Sequence, residues 1–202
     1  MRALHFSVPR IFLKICKAGN DAFTFILRIL TINDAMRTNY MKKEKLLKQI
    51  SLMAVMTALV AVGTFIVRIP NPMGGYFNVG DVMVFVAALT FNPFVGSFAG
   101  GVGSAISDMI GFPLFVIPTL IIKGLEGLLA GLITNKKSIF RDVFAVVVAG
   151  SEMIIGYFLV ELYPLGWGLG GALAELPGNI AQIFVGGAFG HSYRHNLEEK
   201  PA

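Results

Sequence analysis

Two charged residues three positions apart, Lys123 and Glu126, interrupt the apolar run PTLIIKGLEGLLAGLIT between Pro118 and Thr134. A charge at the centre of a membrane helix costs about 2.5–3.5 kcal/mol on insertion scales, so such a segment carries one only where it has a partner or a task. Thr119, Lys123, Glu126 and Ala130 step by 4, 3 and 4 residues and share one helix face. In ALAELPGNIAQIFVGG the same spacing recurs at Glu175, Asn179, Gln182 and Gly186. A carboxylate and two carboxamides projecting from one stripe can hold a polar small molecule by hydrogen bonds.

Bond-making chemistry has no comparable set. Ser104 lies in the apolar stretch GVGSAISD, but the histidines (His5, His191 and His195) all fall near the termini, so no base is available to it within an apolar segment. One cysteine, Cys16, excludes a disulfide framework and a cysteine metal cage. No GxxxxGK[ST] motif occurs, so this chain does not hydrolyse ATP itself. The residues predict no enzyme, no metal and no cofactor.

The elements that must position the polar stripes are membrane helices. Of 202 residues 55% are hydrophobic and 14% charged, with mean hydropathy +0.71; soluble domains carry about 25% charged residues. Apolar segments at roughly 47–68, 80–93, 94–110, 113–134, 139–162 and 168–190 predict an all-α integral membrane protein, a bundle of six transmembrane helices. The second and third are short for a bilayer. Lys42, Lys43, Lys45 and Lys48 precede the first span, Lys136, Lys137 and Arg141 lie between the fourth and fifth, and Arg194 and Lys200 follow the sixth. Six alternating spans put all of these on one side and Arg68 on the other, so the positive-inside rule predicts both termini in the cytoplasm. The basic residues are topology signals, and nucleic-acid binding is a poor explanation for them.

Residues 1–40 hold only short, interrupted apolar runs. They read as an extension upstream of Met41, with 41–202 as the membrane domain; an interfacial helix and a targeting peptide are the alternatives.

That topology brings most intramembrane polar groups to the outer half. Lys123 lies near the midplane with Glu126 slightly below it, Glu152 sits at mid-depth, and Tyr157 and Glu161 lie nearer the outer surface. Asp81 opens the second span and Asp108 closes the third. Lys123 can pair with Glu126, Glu152 or Glu175, and a network of that kind can be purely structural. Three helices reaching one depth with carboxylates in excess favour a ligand pocket. The outside loop IPNPMGGYFNVGD, with Tyr76 and Phe77 at its tip, reads as a lid or as an interfacial aromatic anchor. Gly96, Gly100 and Ser104 form a small-residue seam for helix contact; Ala54 and Ala58 form a second, internal or facing a partner.

From Met41 onward the chain resembles the substrate-binding S component of energy-coupling-factor (ECF) vitamin transporters, with riboflavin-type sequences nearest. The matching pieces come in order: AVMTALVAVGTFIVRIP after a lysine-rich start, PNPMGGYFNVGDVMVFVAALTFNPFVGSFAGGVGSAISDMIG, KGLEG, GYFLVEL and ELPGNIAQ. Asn92-Pro93 departs from an expected Gly-Pro. The resemblance implies capture of a water-soluble vitamin or precursor in an outward-facing pocket under the loop between spans one and two. It also implies a transmembrane coupling subunit and two ATPase subunits that drive reorientation and release, with Ala54 and Ala58 contacting the coupling subunit. The pocket residues expected are Tyr76, Phe77, Asp81, Lys123, Glu126 and Glu152, together with Tyr157, Trp167, Glu175, Asn179 and Gln182. An ion-coupled secondary transporter of a small polar solute is the competing class, and a structural membrane subunit a third.

Overall fold

The structure is a computed structural model that describes residues 22–70, 75–135 and 138–198, with side chains from 40 to 197. Expectations on residues 1–21, on 71–74 of the loop, and on Lys136, Lys137 and Lys200 lie outside the described residues. The chain divides into two compact units, 1–48 and 49–202. Within the first, the described part is helical; the second holds the polar stripes.

Helix α1 spans Ala22–Ile66. Along its later part Met56, Val60 and Thr64 recur every fourth residue and are buried, while Val55, Leu59, Val62 and Phe65 are exposed, which is the one-sided burial of a helix at the rim of a bundle. A short antiparallel hairpin follows, β1 (Arg68–Pro70) and β2 (Tyr76–Asn78), in the register Arg68↔Asn78, Ile69↔Phe77 and Pro70↔Tyr76. Helix α2 (Gly80–Thr90) is buried along nearly its whole length, from Asp81 through Leu89. Next comes α3 (Pro93–Gly111), which starts with Asn92 as its cap: Val95 N–H donates to Asn92 Oδ1 at 3.0 Å. Pro93 then sits where a helix needs no N–H, so Asn92-Pro93 forms an ordinary helix start.

A 3-10 turn (Pro113–Phe115) leads into α4 (Val116–Ile133), then α5 (Ile139–Leu162) and α6 (Gly168–Glu198). Pro118 falls in the first turn of α4 and breaks nothing there. Pro177, inside α6, leaves the Leu173 carbonyl without its helical donor. The Gly96–Gly100–Ser104 seam is internal. A Cβ on Gly100 would come within 2.6 Å of the Lys123 carbonyl oxygen, and one on Gly96 within 2.8 Å of the Gly127 carbonyl oxygen. Glycine at these positions lets α3 lie directly on the backbone of α4 and so sets where Lys123 emerges.

Among the described residues, three helical stretches are long and apolar enough to cross a membrane by length and composition, Tyr40–Ile66, Pro113–Ile133 and Ile139–Leu162. The six expected spans are all helices, but not equal ones. At a rise of 1.5 Å per residue, the 11 residues of α2 reach only about 16 Å; α3 is rich in glycine and serine, and α6 carries the polar stripe. Such helices are tolerated where neighbours shelter them.

Candidate functional site

The polar stripes converge on one cavity of about 350 Å³, counted out to its mouth, under the hairpin. Its roof is Gly75, Tyr76 and Asn78 from the hairpin. The walls are Asp108 at the end of α3, Phe115 in the 3-10 turn and Thr119 on α4, faced by Tyr157 and Glu161 on α5. The α6 stripe of Glu175, Asn179 and Gln182 closes the far side, and Lys123 forms the floor.

The floor is an ion-pair cluster. Lys123 Nζ donates to Asp81 Oδ1 at 2.6 Å and lies 3.0 Å from Glu126 Oε2, one helical turn deeper. All three side chains are buried. The Tyr157 ring stands 5.8 Å from the ammonium, and its hydroxyl donates to Thr119 Oγ1 at 3.0 Å. On the far wall Gln182 Nε2 donates to Asn179 Oδ1 at 3.2 Å.

The roof is fastened by Arg68. Its Nη2 donates to the Ser107 carbonyl at 2.5 Å and to the Ser107 hydroxyl, and it lies 3.9 Å from Asp108 Oδ1. The guanidinium carbon also sits 5.0–5.3 Å from the ring centres of Tyr76, Phe65 and Phe112, close enough for cation–π attraction. Beside it the Tyr76 hydroxyl donates to Asp108 Oδ1. Burial first, and then the nearby Asp108 carboxylate, raise the Tyr76 phenol well above its ordinary value, so it stays a donor. Gly75 rests on the Glu175 carboxylate with no room for a Cβ between them. Hairpin, α3 and α6 therefore meet at the cavity mouth.

Residues 45–198 match the family described as the S component of the ECF-type riboflavin transporter. The chain belongs to that family. Two relatives align along most of their length. An uncharacterized protein in gap 3′region of Pyrococcus woesei is 44% identical over 144 residues, 68% of this chain and 96% of that protein. The thiamine precursor transporter HmpT of Lactococcus lactis subsp. cremoris is 34% identical over 145 residues, 70% of this chain and 82% of that one. Among solved structures, the S component of a bacterial ECF transporter is similar at a TM-score of 0.60 and 22% identity, over 76% of this chain and 98% of that chain. That likeness is one of fold. The protein is thus a membrane-embedded S component of an ECF-type transporter, with the six-helix architecture expected.

Of the residues expected to bind substrate, Tyr76, Lys123, Tyr157, Glu175, Asn179 and Gln182 line the cavity. Five other expected residues do not. Phe77 lies between Tyr76 and Asn78 on β2, and strand alternation turns it to the opposite face. Asp81 and Glu126 lie behind the floor and hold Lys123: Glu126 is one of the partners expected for the ammonium, and Asp81 joins it from α2. Glu152 lies five residues along α5 from Tyr157, about 7 Å deeper in the bundle. Trp167 supports the wall from behind, its ring packed edge-on against Phe115 at 5.5 Å.

Six lining residues were not proposed from the sequence. Thr119 shares the Lys123 face and Glu161 follows Tyr157 by one turn, so their stripes carried the signal. Asp108 closes a span at the right end. Gly75, Asn78 and Phe115 carried none, since their positions depend on the hairpin register and the 3-10 turn.

Proposed function

We propose that this S component captures a water-soluble vitamin or vitamin precursor in the cavity under the hairpin, from outside the cell. A transmembrane coupling subunit and two ATPase subunits then drive its reorientation and release inside. The observation that carries this reading is the cavity itself, an open-mouthed polar chamber roofed by a hairpin and walled by four helices. The family description names riboflavin and one relative's name a thiamine precursor, which supports the vitamin class. Alternation of six spans assigns Lys42, Lys43, Lys45, Lys48 and Arg141 to the same side in sequence terms, which supports cytoplasmic termini and an outward hairpin. Ala54 and Ala58 are exposed on α1 while Met56 and Val60 are buried, which favours a partner surface over an internal seam. We read residues 1–40 as dispensable for insertion, binding and assembly.

The test is a thermal-shift screen of the purified chain against vitamins and their precursors without ATP. A ligand that binds only the native state raises its apparent stability, and at least one compound is expected to do so. Uptake in proteoliposomes is expected only with the partner subunits and ATP. The buried Lys123–Asp81 pair is also what an ion-coupled carrier could use. Uptake by this chain alone, driven by a proton or sodium gradient, would establish that second reading in place of the first.

A further inference from the structure

Arg68 makes more contacts than a surface charge needs. Six alternating spans leave it as the one Lys or Arg in the loops on the hairpin's side, opposite the basic residues that signal topology. Its Nε donates to the Thr64 carbonyl of α1 at 3.3 Å, and its Nη2 reaches Ser107 and Asp108 on α3. At that end of α3 a cation also complements the helix dipole. Along β1 its backbone pairs with Asn78, whose Oδ1 accepts from the Gly80 N–H at the start of α2 at 2.8 Å. Gly111 leaves the slot for the guanidinium, since a Cβ there would collide with Nη1. One side chain thus joins the end of α1, the hairpin and the last turns of α3.

The chamber is shaped by this junction from outside. Arg68 does not line it, but its neighbours Tyr76, Asn78 and Asp108 do. The Tyr76 ring is held between the guanidinium and Phe112, whose ring centre lies 4.4 Å away. Asp108 is fully buried and has the guanidinium at its side. Removing the guanidinium would deprive the carboxylate of that cation and the Tyr76 face of its charge, and both would be free to leave the wall. Lysine is no substitute. Its ammonium is a point charge and cannot donate as a planar fork while stacking on rings.

We propose that Arg68 is a positioning residue for ligand binding: without touching the ligand, it holds Tyr76 and Asp108 where the chamber needs them and acts through them. This rests on the transport reading above.

The test uses the full chain in detergent. Riboflavin and thiamine are titrated first, then the other vitamins of the thermal-shift panel, and the compound that binds the parent most tightly is carried through the variants. In Arg68→Met its Kd should rise at least about tenfold, the range for losing hydrogen bonds to a charged group. Arg68→Lys should melt close to the parent yet still bind about fivefold more weakly. In a Tyr76→Ala background, Arg68→Met should cost no more than about threefold, because the residue it acts through is gone. Penalties that multiply in full, or a lysine that restores full affinity, would overturn the proposal and leave the transport reading standing. Hydrogen exchange without ligand is the second readout, and it decides where the alanine background binds too weakly to titrate. Arg68→Met should speed exchange in β1 and β2 about tenfold and leave α5 unchanged; Arg68→Lys takes its place if the methionine variant does not fold. Unaltered hairpin exchange, or an increase spread evenly over the chain, would overturn the proposal. A parent that binds no vitamin removes the transport reading, and with it the role in binding, while the exchange result still decides whether Arg68 holds the roof.

Discussion

Two polar clusters sit at opposite ends of α4, and they are built on opposite terms. Past its last turn, Thr134 donates to Asp142 Oδ1 and accepts from Arg194 Nη1 at 2.7 Å; Arg194 Nη1 reaches the same carboxylate oxygen at 2.5 Å. His191 Nδ1 faces the other Asp142 oxygen at 3.3 Å. Among the described residues, no buried side-chain atom of Asp142, Thr134 or Arg194 is left without a partner. The cluster ties the end of α4 to the start of α5 and the last turns of α6, and it is closed. Under the hairpin, by contrast, Asp108 Oδ2, Glu161 Oε2 and Gln182 Oε1 stand buried and unpaired on residues that line a chamber, with Asp81 Oδ2 and Glu126 Oε1 unpaired behind its floor. A network that exists only to hold helices together completes its own bonds, because each unmade one costs stability. One that leaves acceptors open beside a cavity is built to be completed by something else.

The comparison predicts the largest loss of stability at the closed cluster. Arg194→Met strands the buried Asp142 carboxylate and should cost about 3–5 kcal/mol, whereas Arg194→Met with Asp142→Leu should recover most of it. Ligand affinity should be unchanged in whichever of these variants folds. Unfolding in detergent and ligand titration read the two quantities separately. A drop in affinity with the double variant would mean that the closed cluster shapes the cavity from a distance and that the contrast is overdrawn.

At the open cluster the same operation should separate stability from binding. Lys123→Met alone leaves Asp81 and Glu126 facing each other and should destabilise the bundle by a comparable amount. Adding Asp81→Asn and Glu126→Gln removes the stranded charges and should restore stability. Affinity should stay down: a hydrogen bond to a charged group is worth about 1.5–3 kcal/mol, which is roughly tenfold to a hundredfold. Restored stability with full affinity would make this cluster scaffold too, and the two ends of α4 would then differ only in how well they are packed.

How much of this contrast was legible in the sequence follows the range of the interactions. The limits of α5 fall where the apolar run from 139 to 162 begins and ends, and α4 ends one residue short of the expected 134. Both are local matters of hydropathy and turn residues. The stripe of Glu175, Asn179 and Gln182 was readable from helical spacing alone. Pairings across the bundle were not. Asp81 meets Lys123 from 42 residues away, and Arg194 meets Asp142 from 52. Arg194 looked like an exposed topology charge because nothing near it in sequence announces a partner. Phe77 looked equivalent to Tyr76 because strands of three residues are too short to display an alternation; only the pairing with Ile69 settles which side it takes.

The smallest effect on either cluster is expected from the exposed face of α1. Ala54 and Ala58 lie one turn apart and are open to the surroundings, and the buried side of the same helix is formed by Met56, Val60 and Thr64. A larger side chain at these alanines therefore displaces no packed neighbour, so Ala54→Leu and Ala58→Leu should leave unfolding and ligand affinity within error of the parent chain. Assembly is where they should act. Small residues four apart let a second helix approach closely at backbone level, and a leucine there holds it off by the width of its side chain. Co-purification with the coupling subunit should be lost in both variants while the thermal shift with ligand persists. If both variants assemble normally, the coupling subunit sits elsewhere on the bundle. If instead they lose ligand binding while remaining folded, then the outer face of α1 communicates with the chamber, and the division between a sealed end, an open end and a separate docking face does not hold.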